Sequence, residues 1–403
     1  MSPQPHSYSA RWVFPVSGPP IPHGVVVVRD DRIAAVEPAG SRSADVDFGN
    51  AAIIPGLVNA HTHLDLSGAR GLIPPTDSDH FTDWLRGVIA YRRGRSLFRT
   101  QIDIRSGLAE CLRSGTTLLG DISSDGGSWD AIAESPIRGV VFREIIGLSE
   151  ERFQRAAGDA VLWVRDGHDG TSTCVPGISP HAPYSCRAEK LPALTASLWL
   201  MGNRIAVHLA ETLAELELLR RQSGPFVWFL AELGAWDPSG LAWGPEQILE
   251  FTREAKHAVY AHCNYLPVDT PFAAGQSVVY CPRTHAVFGH PPHPFREFLK
   301  RGVRVCLGTD SLASNPDLDV LAEARFVHQR HPDFPGEELL RMVTLAGAEA
   351  LGWADETGSL EVGKSADFVA VPLPDADAAD PHELLLADHP GDRRTVFRGE
   401  PRN

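Results

Sequence analysis

"AAIIPGLVNAHTHLD" (residues 51–65) joins an apolar run to two histidines, His61 and His63, one residue apart. In an extended chain, residues i and i+2 project from the same face, so both imidazoles leave the end of this strand on one side. That pair alone is either two ordinary polar groups at a strand exit or half of a chelating site. The remaining donors have to come from elsewhere in the chain.

Working outward, seven more apolar runs follow: "GTTLLGD" (115–121), "RGVVFREI" (138–145), "TCVPGISPH" (173–181), "RIAVHLA" (204–210), "HAVYAHC" (257–263), "SVVYCPR" (277–283) and "GVRVCLGTD" (302–310). With "AIIPGLVNAH" (52–61) they make eight, several separated by helical patterns such as "TLAELELLRR" and "HPFREFLKRG". Near-continuous apolar strands are buried on both faces, and alternation with helices makes them parallel, so an α/β fold of the (β/α)8 barrel type is expected over 55–354. A doubly wound sheet is the alternative, but no GxGxxG follows any strand. "GVVVVRDDRIAAVEP" (24–38), "GSLEVGKSADFVAVPLP" (358–374) and "RTVFRG" (394–399) read as β structure at both ends of the chain. They predict a small β-sandwich domain from residues 1–54 and 355–403. Between the last two lies "PDADAADPHELLLADHPGDRR" (374–394), an acidic, Ala- and Pro-rich stretch read as a surface connection.

Composition narrows the function classes. The 403 residues carry 37 Lys plus Arg against 51 Asp plus Glu, a net charge of −14, which argues against nucleic acid as a partner. No apolar run approaches the roughly 20 residues that span a bilayer. The first residues lack the basic-then-apolar order of a leader, and the six cysteines form no CxxC pair or secreted framework, so a cytoplasmic protein is expected.

The ends of the strands carry the chemistry. The first ends in His61 and His63, the fourth in His181, the fifth in His208, the sixth in His262 and the eighth in Asp310. Strand C-termini of such a barrel converge on one mouth. A histidine at a strand end is commonly just hydrogen-bonded, and Asp310 is also explained as a turn cap. That explanation has to be invoked separately for five strands. Imidazoles with a carboxylate suit a divalent transition metal such as Zn2+ or Fe2+.

The set "PGLVNAHTHLD", "VHLAET", "AHCNYL" and "GVRVCLGTDSLASN" resembles the amidohydrolase superfamily, in its branch of metal-dependent deaminases and chlorohydrolases. The resemblance covers nearly the whole chain and implies His61, His63, His208 and Asp310 as metal ligands. It gives catalytic tasks to three residues. Glu211, otherwise explicable as a helix-start acid, would move protons at a ring nitrogen and a leaving amine. Asp310 would aim the attacking water, whose pKa the metal lowers. His262 would hold the attacking oxygen or polarise the developing charge. Relatives with two bridged metals carry a lysine at the end of strand four, and none of Lys190, Lys256, Lys300 and Lys364 is there, so one metal per chain is expected.

"SPHAPYSC" (179–186) resembles the segment whose histidine meets substrate in adenosine-type deaminases, which nominates His181. Trp84, in "HFTDWLRGVIAYRRGR" (80–95), resembles a pocket aromatic; helix-core packing is the plainer alternative. Adenosylhomocysteine deaminases often carry a ribose-gripping Glu on that helix. Here Arg92, Arg93 and Arg95 stand instead and point to a carboxylate-bearing substrate. The stretches "FTDWLRGVIAYRR" (81–93) and "CPRTHAVFGHPPHPFREFLKRGVRVCLGTDSLASNPDLDVLAE" (281–323) look more like the subgroup containing 6-aminodeoxyfutalosine deaminases, and Arg283, beyond strand seven, is a further candidate for that carboxylate. His285 and His290 stay without a role. The expected reaction is hydrolytic deamination of a small heterocyclic substrate. Chloride displacement from an s-triazine is the alternative, and a silent scaffold barrel would lack a ligand or Glu211. Whether the barrels pair as a homodimer is left open by the sequence.

Overall fold

The computed structural model describes residues 6–165, 173–197, 202 and 204–402. The first five residues, part of the stretch read for a leader, lie outside them, as does residue 403 of the expected terminal domain. Eight strands form one sheet in sequential order: β1 (Leu57–Thr62), β2 (Thr116–Ser123), β3 (Arg138–Ile145), β4 (Cys174–Pro180), β5 (Arg204–Leu209), β6 (His257–His262), β7 (Gln276–Tyr280) and β8 (Arg304–Leu307). All the listed neighbours pair in parallel. The barrel closes where the Asp310 N–H donates to the His61 carbonyl at 3.0 Å beside a Thr62–Asp310 bridge. Gly308 makes that approach feasible, because a Cβ there would lie 2.9 Å from the His61 backbone.

Inside the barrel, Val58, Leu118, Val140, Phe142, Val259 and Val279 form a packed core. Truncating one of the larger members, such as Phe142, is expected to cost about 3–5 kcal/mol. The outer faces of the strands bury against helices whose starts are capped locally. Ser96 accepts the Arg99 N–H ahead of Leu97–Arg113, and Thr212 accepts the Glu215 N–H ahead of Leu213–Arg221.

Two sequence expectations are corrected. "AIIPGLVNAH" is two strands rather than one. Ala51–Pro55 pairs with Phe368–Pro372 in a terminal sheet, and β1 begins after Gly56. A Cβ at Gly56 would lie 2.0 Å from Thr117 Oγ1, so the crossing requires glycine. The acidic stretch after residue 374 is also not wholly a surface connection. It contains the helix Pro381–Leu386, whose Leu384, Leu385 and Leu386 are buried in the main hydrophobic core beside the helices Val320–Arg330 and Gly336–Met342.

The terminal strands form two sheets. Arg32–Glu37, Val25–Arg29, His6–Ser9 and Val46–Asp47 make one of four strands. The six-stranded second combines both chain ends, through Glu400–Pro401, Arg394–Phe397, Phe368–Pro372, Ala51–Pro55, Trp12–Val13 and Ile21–Pro22. Tyr8, Val26, Val28, Ile53, Phe368 and Val396 form their shared core. A buried ion pair, Arg138 to Asp367 at 2.6 Å, ties this unit to the foot of β3. All six cysteines are buried, and no described helix is long and apolar enough to cross a membrane.

Candidate metal centre

At the C-terminal ends of the strands, His63, His181, His208, Glu211, His262 and Asp310 line one cavity, with His61 buried behind them. Three strand ends turn sharply to put them there. Ala210, His262, Cys263 and Asp310 all have left-handed backbone conformations, at φ +50°, +72°, +55° and +60°. For residues other than glycine such geometry persists only where the surroundings enforce it.

The donor set fits a divalent cation on several counts. His63 Nε2 lies 3.2 Å from His208 Nε2, and Asp310 Oδ1 lies 3.5 Å from His63 Nε2 and 3.7 Å from His61 Nε2. Donors around a tetrahedral Zn2+ stand about 3.3–3.4 Å apart, given bonds near 2.0–2.1 Å. His208 Nδ1 donates to the His181 carbonyl at 2.9 Å, which fixes the tautomer and leaves the Nε2 lone pair facing the other donors. His61 Nε2 is buried without a hydrogen-bond partner among the described residues. Two overlapping groups, His61–His63–Asp310 and His61–His208–His262, have ligand atoms within 4.8 Å of one another. His262, expected only to touch the attacking oxygen, therefore also stands within reach of the same ion.

Electrostatics point the same way. Burial, reinforced by neighbouring imidazoles, holds His61, His63, His181 and His262 neutral, well below the usual histidine range, and burial, with a smaller contribution from the Arg92 charge, lowers His208. Burial pushes Asp310 up to about 7. Glu211 is pushed well above the usual carboxylate range by burial first, then by Asp310 and Glu215. A cluster of neutral imidazoles beside acids that resist ionisation is a site in which a bound cation is the natural source of charge.

Glu211 is held by partners that the sequence did not disclose. Glu215 accepts the N–H groups of Ala210 and Glu211 at 2.9 Å each, and Asn264 Nδ2 donates to the Glu211 carbonyl at 3.0 Å. The Glu211 carboxylate reaches to 3.5 Å from His262 Nε2. His293 Nε2 donates to the His262 carbonyl at 2.7 Å and so supports that strained turn.

The match of the amidohydrolase family profile spans residues 52–395. The chain belongs to the amidohydrolase family. A 5-methylthioadenosine/S-adenosylhomocysteine deaminase of Moorella thermoacetica is 31% identical over 396 residues, covering 92% of this chain and 86% of the relative. Among solved structures, Helicobacter pylori aminofutalosine deaminase superposes with a TM-score of 0.86 at 21% identity, covering 99% of this chain and all of that one. An adenosine deaminase of Xanthomonas campestris with bound zinc gives 0.77 at 23% identity, covering 98% of this chain and 92% of that one. These two structures share the amidohydrolase barrel and terminal sheets.

Of the expected substrate contacts, His181 and Trp84 line the cavity, Trp84 packing on Phe81 and Phe288. Arg283 does not line it. Its guanidinium is bound to Glu323 at 2.6 Å and to both oxygens of Asp317 at 2.6 and 2.9 Å, which leaves no free edge for a substrate. Arg92 lines the cavity but pairs with Asp65 at 2.9 Å and Glu144 at 3.2 Å, Arg93 is exposed, and Arg95 binds Asp103. His285 and His290 pack against each other outside the cavity.

Proposed function

We propose that the protein is a hydrolytic deaminase that uses one divalent cation, Zn2+ or Fe2+, to convert the amine of an adenine-type nucleoside to an oxo group. Water and substrate give the oxo product and ammonia. The observation that carries this reading is the placement of Glu211, an acid that burial pushes well above the usual carboxylate range, in the same cavity as the imidazole and carboxylate donors. The relative named above as a deaminase supports ammonia rather than chloride as the leaving group.

His61, His63, His208 and Asp310 would hold the cation. When bound, it acidifies water so that a nucleophile is available near neutral pH. The protein's own groups do the rest. Glu211 gives its proton to the ring nitrogen as the amine-bearing carbon becomes tetrahedral, then takes up a proton from the attacking oxygen and passes it to the departing amine. His262, 3.5 Å from Glu211, steadies the oxygen and accepts part of its charge. Ser314 Oγ donates to Asp310 Oδ2 at 3.0 Å, which leaves Oδ1 turned toward His61 and His63. Leu66, Phe81, Trp84 and Val88 form apolar walls that exclude bulk water and flank a flat ring.

The favoured substrate is 6-aminodeoxyfutalosine, an adenine nucleoside joined to a carboxylate-bearing aromatic chain. Beside the mouth, Leu85, Ile89, Ile146, Leu148, Phe229 and Leu230 line an apolar chamber that suits such a chain. Arg152, exposed on its rim, offers a charge for the carboxylate that Arg92 and Arg283, both already paired, do not. A cytoplasmic setting agrees with a nucleoside substrate and six buried cysteines.

The test is ammonia release by the metal-loaded protein over adenosine, 5-methylthioadenosine, adenosylhomocysteine, 6-aminodeoxyfutalosine and a chlorotriazine, with metal content by elemental analysis. Ammonia from one of the adenine compounds, with about one metal per chain, is expected. Chloride release alone, or ammonia from no adenine compound, overturns the proposal.

A further inference from the structure

Along β3, Val140 and Phe142 pack inside the barrel, and the same alternation delivers Glu144 to its mouth. Glu144 is 6% exposed. One of its oxygens, Oε2, accepts Arg92 Nη1 at 3.2 Å. Arg92 is anchored in turn by Asp65, which accepts Ser124 Oγ at 2.9 Å. The other oxygen, Oε1, has no hydrogen-bond partner among the described residues and lies 3.9 Å from His181 Nε2.

That separation is too long for a hydrogen bond, and the partners of the ring explain it. Ser185 Oγ lies 3.1 Å from the Ala182 carbonyl and 2.7 Å from His181 Nδ1; with its one proton on the carbonyl, it accepts from Nδ1. In that arrangement Nδ1 holds the proton and Nε2 presents a bare lone pair. A buried carboxylate oxygen and a partly exposed imidazole nitrogen thus face each other across 3.9 Å, with no donor between them among the described residues. A buried carboxylate oxygen of this kind calls for a donor. His181 lines both the mouth and the apolar chamber, so the pair sits where a ring and its substituent are joined.

We infer that Glu144 and His181 form an acceptor pair for the sugar hydroxyls of the substrate, making Glu144 a specificity-determining residue for a vicinal diol. The inference rests on the nucleoside reading above. It assigns to a strand-three carboxylate the hydroxyl-gripping task for which the helix Phe81–Arg93 offers only arginines at its C-terminal end.

Glu144→Gln tests it. Arg92 can only donate, so the new amide must turn its oxygen toward Arg92 and its nitrogen toward His181, reversing the polarity of Oε1 at constant volume. With the metal-loaded full chain, KM for adenosine is expected to rise about 10- to 100-fold, while KM for 2′,3′-dideoxyadenosine moves far less. Glu144→Asp, which withdraws the carboxylate by one methylene but keeps its charge beside Arg92, should discriminate in the same direction and serves if the amide variant does not fold. A parallel loss on both nucleosides, or no loss on adenosine, overturns the inference. Wild-type protein that deaminates both nucleosides equally well also refutes the acceptor pair but keeps the deaminase reading. Wild-type protein that deaminates neither they nor any other adenine compound removes both.

Discussion

Glu215→Gln perturbs the site without touching the substrate or the donor atoms of the cation. Glu215 is fully buried on the first turn of Leu213–Arg221, and its two oxygens accept the amides of Ala210 and Glu211 at 2.9 Å. Glutamine has one acceptor, so one of those amides would face an NH2 group. Losing a charge-assisted hydrogen bond costs about 1.5–3 kcal/mol, and the buried N–H left behind adds about 1–3. An opposing term comes from the same burial. It pushes the Glu215 carboxyl up to about 7, so keeping it ionised at about pH 8 costs on the order of 3 kcal/mol, which a neutral amide does not bear.

The two contributions nearly cancel in stability, so the melting temperature should shift by no more than about 5 °C. Activity has no such compensation. The freed amide lets the left-handed turn at Ala210 relax, and a displacement of Glu211 by about 1 Å is enough to lower kcat roughly 100-fold. The assay is kcat for ammonia release at saturating substrate, beside calorimetric Tm and metal content. A kcat within roughly threefold of wild type would show that Glu215 does not aim Glu211. A lost kcat accompanied by collapse of Tm would show that the variant reports folding instead.

Glu211→Gln should lower kcat by about 100- to 10,000-fold with metal content unchanged, and near-normal turnover would take Glu211 out of the proton path. His63→Ala deletes a donor 3.2 Å from His208 Nε2 and 3.5 Å from Asp310 Oδ1, so metal affinity, measured against a competing chelator, should fall more than about 100-fold. Burial pushes Asp121 and Asp310, like Glu215, up to about 7. Between about pH 4 and that value the native state of chelated protein keeps protons that the unfolded chain has released, so its urea midpoint should drop from pH 5 to pH 8. Added Zn2+ should shrink the drop by holding Asp310 ionised, and a midpoint that rises with pH in the chelated protein would refute the assignment. Arg283→Met should cost about 3–5 kcal/mol by stranding Glu323 while KM stays unchanged; a raised KM at constant stability would return Arg283 to the substrate.

What the sequence disclosed, and what it hid, follows from how far each signal reaches along the chain. Buried parallel strands are apolar over their whole length, so all eight runs were visible without knowledge of their neighbours. The break at Gly56 was not, because it depends on Thr117, sixty-one positions away in another strand. The helix Pro381–Leu386 was masked by the acidic, Ala- and Pro-rich composition around "HELLL". Histidines at strand ends were legible since topology alone brings those ends together. Glu144 was legible in principle from the Val140–Phe142–Glu144 alternation. Glu215 acts on backbone amides, which leave no residue signature. Arg283 looked free because its partners, Asp317 and Glu323, lie thirty-four and forty residues further on.

The left-handed residues show how this fold concentrates conformational cost. Ala210, His262, Cys263 and Asp310 end β5, β6 and the β8 segment, and each departs from extended geometry at a cost of order 1–3 kcal/mol. Continued as regular strands, these segments would carry successive side chains to opposite faces instead of gathering them at one mouth. Each turn has a specific restraint: the Glu215 carboxylate at Ala210, His293 on the His262 carbonyl, the Leu209 carbonyl on the Cys263 N–H, and the His61 carbonyl on the Asp310 N–H. Those restraints are polar groups, and Glu215 and His293 are themselves buried. Binding a cation to donors carried on these turns returns free energy where the chain is most strained. The site and the stability of the barrel mouth are therefore coupled: variants that loosen a turn should weaken metal binding, and chelation should loosen the turns before it unfolds the strands beneath them.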